Sequence, residues 1–219
     1  MLPTGTSAGA IPRLSLATFA LFLSLDPAWS QADPAVATSS AVASVAKAPA
    51  TLTPTQIEAA SYSGGDLPAG QSALTAKVQG VLDRSGISPG VVDGWRGGMS
   101  ESAVKAFQRR AGLPMTGQMD HAVWDLLQGY AAQPITMDYT VTEEDAFGLV
   151  DNIPADYGEK AKMSSQGYTS ILEKLAERFH MDEKFMVKLN PGTEFMPGAT
   201  IHVTAPAKPI RATVTRIIV

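Results

Sequence analysis

Apolar residues follow two rhythms along this chain. Helical spacing, in which residues three and four apart share a face, appears at Leu74, Val78, Val81 and Leu82, then at Ala103, Val104, Phe107 and Ala111, then at Val123, Trp124, Leu126 and Leu127. It returns at Ile171, Leu172, Leu175, Ala176 and Phe179, and again at Phe185, Met186 and Leu189. Strict alternation, the strand rhythm, marks Tyr139 to Thr142, Ala199 to Val203 and the run from Ile210. The punctuation agrees with these periods. Thr53, with Pro54 behind it and Gln56 at the reciprocal position, predicts a short capped helix. Ser100, Asp120 and Asp182 are candidate N-caps, and Gly86, Gly112 and the Asn190-Pro191-Gly192 run are stop signals.

The elements group by position. Three short helices with short connections predict a small bundle over 72–131, and strand, two helices and strand predict a βααβ unit over 137–205, an α+β chain. Residues 208–219 alternate and then become wholly apolar, which is expected to open a further, truncated β domain. Residues 33–71 are read as a flexible linker with one short helix, because the stretch up to about Ala50 is mostly Ala, Ser, Thr, Val and Pro and cannot repay the entropy of ordering. Ahead of it, Arg13 followed by the apolar run Leu14 to Leu25 and small residues at Ala28, Ser30 and Ala32 predicts a signal peptide over 1–32. That run is shorter than the roughly 20 residues a membrane helix needs. The expected location is therefore exported, in a periplasm or cell wall.

Composition narrows the chemistry. A length of 219 residues with 45% hydrophobic content suits two small cores. A net charge of -4 without a dense run of Lys and Arg gives no reason to expect nucleic acid. The absence of cysteine excludes disulfides, thiolate metal sites and a cysteine nucleophile within this sequence. His121, His180 and His202 are too dispersed to suggest a metal site, and no cofactor is expected. Glu143, Glu144 and Asp145 are adjacent acids in a polar loop, expected to be solvated.

The glycine-rich turn VDGWRGGMS, Val92 to Ser100, is the one place that could suggest a phosphate loop. It has no lysine at the helix entry and no strand before it, so it lacks the parts that grip a phosphate. Asp93 binding local amides and Gly94 taking positive φ account for the reversal.

On these residues the chain resembles known wall proteins. Gln79 and Leu82, Asp93 and Gly94, Ala103 with Phe107 and Gln108, Gly112 with Leu113, and Trp124 resemble the peptidoglycan-binding repeat of bacterial wall enzymes, with Val123 where that pattern often has Thr. YTVT at Tyr139 to Thr142 and the run from Ile171 to Val203 are similar to a lysin motif, with roughly twenty-five residues between the first strand and the first helix where a short loop is usual. The order of parts resembles the region ahead of the catalytic domain of exported L,D-transpeptidases, whose nucleophile is a cysteine. The resemblance implies a noncatalytic module that binds or positions itself on peptidoglycan, through glycan or stem peptide, with a transpeptidase catalytic domain as a second partner. The alternatives are part of a full-length transpeptidase whose cysteine domain lies beyond residue 219, or a structural domain that only packs on that enzyme.

The candidate ligand-binding residues are Asp93, Gly94, Trp95, Arg96, Gln108 and Arg109. Trp95 lies between glycine and arginine in a turn, where an indole either stacks on a sugar face or plugs the end of a bundle. Arg96, Arg109 and Arg110 either pair with stem-peptide carboxylates or form a solvated face. Gln108 either bonds an acetamide or satisfies backbone inside the bundle.

Overall fold

The computed structural model describes residues 52–209 and 213–216. The expected signal peptide, the linker up to residue 51 and most of the expected terminal β segment lie outside the described residues; 208–209 and 213–216 carry no strand.

The element order is α1 (Pro54–Ala59), α2 (Ala73–Arg84), α3 (Gly98–Ala111), α4 (His121–Leu127), a 3-10 turn (Gln128–Tyr130), β1 (Thr136–Thr140), α5 (Glu143–Ala146), α6 (Tyr157–Lys160), α7 (Ile171–Arg178), α8 (Glu183–Leu189) and β2 (Thr200–Thr204). The two strands pair antiparallel, with Thr136 opposite Thr204 and Thr140 opposite Thr200. Helices with a small antiparallel sheet make the fold α+β.

Local chemistry sets most of these boundaries. Thr53 and Gln56 form the reciprocal cap of α1, each side chain bonding the other's backbone N–H. Asp120 accepts from Val123 N at 2.8 Å and Asp182 from Phe185 N at 2.9 Å, as expected of helix caps. Ser100 departs from expectation. The helix starts at Gly98 behind Gly97, because the Ser100 hydroxyl is buried and accepts from Gln79 Nε2. Ala111 and Leu126, expected in the core, face solvent. Strand β1 begins three residues earlier than its alternation implied and stops at Thr140, because Thr142 already belongs to the entry of α5.

The linker expectation fails over its second half. Leu52, Ile57, Tyr62 and Leu67 are all buried, and α1 lies against α2. Lys77 Nζ donates to the carbonyls of Glu58 at 2.6 Å and Ala60 at 2.9 Å, which caps the end of α1. Glu58 in turn accepts from both the N–H and the hydroxyl of Thr136 at 2.7 Å, so this segment touches the start of β1 as well.

The two expected small cores are one. Buried apolar side chains form a single cluster running from Leu52 through α2, α3 and α4 to Ile201 and Val203. Gly80, in the middle of α2, permits part of this join. A Cβ there would lie 2.5 Å from Ile135 Cγ2, so the usual penalty of about 1 kcal/mol for a helical glycine allows Ile135 to approach the helix backbone.

A second join is built on His180, the one non-glycine residue with positive φ among the described residues (φ 55°). It ends α7, with Met181 N bonding back to Ala176 O at 2.8 Å. Its carbonyl accepts from Val92 N at 2.7 Å, Asp182 N donates to Val92 O at 3.1 Å, and its ring Nδ1 lies 2.9 Å from Asp83 Oδ1. Arg84, next along α2, donates through Nε to Ala205 O at 2.6 Å and through Nη1 to Gln133 O at 2.7 Å.

Asp145 also departs from expectation. It is buried rather than solvated, and it accepts from Thr142 N at 2.9 Å, Thr142 Oγ1 at 3.0 Å, Tyr139 Oη at 2.7 Å and Arg178 Nη1 at 2.6 Å. Burial alone would raise its pKa, but these donors together outweigh burial and bring it down to about 2 from 3.8. A folded-state pKa below the unfolded value stabilises the fold above the unfolded pKa, and the gain is lost as pH falls towards the folded one. Asp145→Asn is therefore expected to destabilise the protein by about 2 kcal/mol at neutral pH. Urea unfolding at a series of pH values should show that gap hold down to about pH 4 and close near pH 2.

Candidate functional site

Two buried glutamines organise the helical segment. Gln79, on α2, is 2% exposed. Its Oε1 accepts from Asp93 N at 3.1 Å and Gly94 N at 2.8 Å, while its Nε2 faces Asp93 Oδ1 at 2.8 Å, Trp95 O at 3.2 Å and Ser100 Oγ at 3.2 Å. Asp93 Oδ1 also accepts from Trp95 N at 2.8 Å. Gln79 thus takes both the Asp93 and Gly94 amides of the 93–95 reversal, while Gln71 Nε2 donates to Asp93 O at 2.6 Å and Ser72 N to Gly94 O at 2.9 Å. Gly94 is required there twice over: its φ is +74°, and a Cβ would come within 3.2 Å of Ser72 O.

Gln108, on α3, repeats the arrangement one turn region later. It is fully buried; its Oε1 accepts from Gly117 N at 2.8 Å, and its Nε2 donates to Thr116 Oγ1 at 2.9 Å and Gln118 O at 3.0 Å. Of the two readings open for Gln108, this placement favours the satisfied backbone, because its amide nitrogen and oxygen are bonded inside the fold and the residue is buried. Asp93 and Gly94 are likewise internal to the turn they shape.

Trp95, in contrast, is held only by its backbone. The residue is 51% exposed and lines an open depression with Val91 and Met99, both also exposed. It is not a plug for the bundle end. Arg96 turns the other way, donating through Nη1 to Leu67 O at 3.2 Å and pairing with Asp66 Oδ2 at 3.2 Å. Arg109 is brought to neither residue. It lies further along α3 beside Lys105 and Met115, on a separate shallow depression. Arg110 is taken up internally, bonding Ser85 O at 2.5 Å and Tyr130 Oη at 3.2 Å.

Between the two clamped turns lies a cavity of about 160 Å³. The strap from Ser63 to Leu67 contributes Asp66 and Leu67, the first turn Arg96, α3 Glu101 and Val104, and the second turn Met119. Tyr62 anchors the strap, its phenol facing Gly65 O at 2.6 Å and Met119 O at 2.9 Å. Burial first, then the charges of Asp120 and Asp66, raise the Tyr62 pKa, so the hydroxyl stays protonated as a donor. Sequence reasoning missed this cavity because SYSGGDLPAG reads as a simple break. The available signal was an aromatic and a leucine flanking the glycines, apolar anchors that a solvated tether does not need.

Among the described residues no three His, Cys, Asp or Glu side chains gather as a metal site, and no helix is long and apolar enough to cross a membrane.

The clamps make a quantitative prediction. Gln79→Leu keeps approximate volume but leaves the Asp93 and Gly94 amides without acceptors, at about 1–3 kcal/mol each. Urea unfolding should show a loss of roughly 3 kcal/mol, against less than about 1 kcal/mol for Trp95→Ala.

Comparison with known proteins bears on the same stretch. No curated protein matches the chain. Residues 71–127, which hold α2, α3, α4 and both glutamine clamps, match the family model described as "Putative peptidoglycan binding domain". The chain carries a peptidoglycan-binding domain at residues 71–127.

Proposed function

We propose that this protein is a noncatalytic module that holds itself, or an enzyme to which it belongs, on peptidoglycan. The observation that carries the reading is the peptidoglycan-binding match over the segment in which two turns are clamped from inside while Trp95 is left half exposed between them and solvent. The contacts are divided by exposure. Trp95 offers an indole face to a sugar ring, Arg96 and Arg109 offer guanidinium forks to carboxylates, and Asp93, Gly94 and Gln108 act from within by fixing the turns.

The wider reading has its own supports. A wall-binding domain is consistent with a cell-wall-associated or exported protein, and the apolar run behind Arg13 supports export by a signal peptide. The antiparallel pair β1 and β2 enclosing α7 and α8, with the four-residue helices α5 and α6 inserted between β1 and α7, supports a lysin-motif-like unit over 137–205. The succession of a peptidoglycan-binding segment and such a unit supports origin in an L,D-transpeptidase, with its catalytic domain as partner. Asn190, whose amide joins Met186 O at 2.9 Å to both backbone groups of His202, serves that unit as a tie between α8 and β2.

Co-sedimentation with purified sacculi tests the reading. The full chain is expected in the pellet at low and moderate salt, and Trp95→Ala should reduce the pelleted fraction several-fold while unfolding normally. A chain that stays in the supernatant at both salt concentrations would refute murein binding.

A further inference from the structure

The cavity beneath the strap is distinct from the exposed Trp95 face, and its size and charge point to a particular ligand. We propose that it takes a zwitterionic amino-acid end, a carboxylate and an ammonium group on neighbouring atoms, such as a murein stem peptide presents on its diamino-acid residue. The source of that end rests on the murein reading above; the recognition chemistry comes from the cavity itself.

Size is the first argument. A cavity of about 150 Å³ is known to admit benzene, so the 160 Å³ here has room for roughly six heavy atoms. A carboxylate, an ammonium and the carbon between them need about five, whereas an acetylated hexosamine ring needs roughly three times that number. The end of a peptide is held within that space, whereas most of an acetylated hexosamine would extend out through the opening.

Charge is the second. Arg96 supplies one cation to the lining, and Asp66 and Glu101 are its two acidic residues. Among the described residues Arg96 is engaged only through Nη1, so its Nε and Nη2 edge has no protein acceptor and suits two parallel bonds to a carboxylate. The Asp66–Arg96 pair is itself weak: the side chains are 66% and 34% exposed, and exposed pairs contribute little. An incoming carboxylate can take Arg96 and leave Asp66, with Glu101, for the ammonium. Leu67, Val104 and Met119 give the joining carbons an apolar floor.

Rigidity is the third. The walls include Ser100 and Thr116, whose hydroxyls are fixed by Gln79 and Gln108 respectively. A site whose walls are already ordered has less to lose on binding.

Titration of the isotope-labelled full chain with synthetic alanyl-γ-glutamyl-diaminopimelate, followed by amide NMR, tests this. The expected result is a response confined to residues 66–67, 96–104 and 116–119. Acetylating the side-chain amine of the peptide, or amidating its side-chain carboxylate, should each weaken binding about tenfold or more, the worth of one charge-assisted bond. Arg96→Gln should abolish the discrimination against the amide, and Asp66→Asn with Glu101→Gln should abolish discrimination against the acetylated amine. These side chains lie at the surface, and circular dichroism verifies that the variants fold. Free diaminopimelate distinguishes the source: binding as tight as the tripeptide assigns the site to free amino acids, weaker binding assigns it to stems, and both support the ligand class. Equal binding of all three peptides, responses only outside the cavity, or no response at millimolar peptide would overturn the proposal. Sacculus retention unaffected by the cavity variants, together with no peptide response, would sink the cavity and leave murein binding standing. Peptide binding without sacculus retention would do the reverse.

Discussion

The helical half of this protein depends on the demand that a buried amide have all its hydrogen bonds met. Gln79 and Gln108 are each nearly or wholly removed from water, and a glutamine so placed is costly unless both ends of the amide find partners. Each meets that demand by seizing a chain reversal: the oxygen takes backbone N–H groups, and the nitrogen takes carbonyl and hydroxyl oxygens. The helices supply the apolar faces that bury the glutamines, and the glutamines determine where the connecting turns sit. A helix-packing problem thereby becomes a loop-positioning device, and the loops are where a ligand can be met.

A similar economy joins the two halves. Left-handed backbone at a histidine is unfavourable by about 1–2 kcal/mol, and such a residue persists when its surroundings hold it. Here the carbonyl of His180 is taken by Val92 and its ring by Asp83, both in the helical half. Arg84 lies beside Asp83 in α2 and reaches the carbonyls of Gln133 and Ala205, at the end of the two-stranded sheet where Thr136 faces Thr204. The turn preceding α3 and the end of α7 thus share backbone bonds, and the peptidoglycan-binding segment is not an independent bead on a string.

Much of this was legible in the sequence, and the failures have physical causes. Periodicity located α2, α3, α4, α7 and α8, because each has an apolar stripe and most have a polar cap. It misplaced the start of α3, since a serine beside a helix entry looks like a cap whether or not a buried glutamine has claimed its hydroxyl. It misjudged Leu126, because a seven-residue helix buries only part of an apolar face. Thr142 three residues ahead of Asp145 is a local sign of a reciprocal helix cap, but the burial of Asp145 depends on Tyr139 and Arg178, 6 and 33 residues away, which no local pattern announces. Of the candidate site, Trp95 was found at the surface and Arg96 on the cavity. Gln108 could have gone either way, because the same amide that would grip a ligand can grip a loop, and only burial separates the two.

The strap carries a consequence for how the domain is delimited. The family match begins at residue 71, yet Leu67 and Asp66 close one side of the cavity, and Ile57 and Tyr62 are buried in the same core. A fragment trimmed to the matched span would be cut through its own interior, exchanging covered hydrocarbon for wet surface and leaving Arg96 without its acidic neighbour. In this chain the packed interior extends upstream of the span that the family signature marks, through the first helix and as far as Leu52 among the described residues.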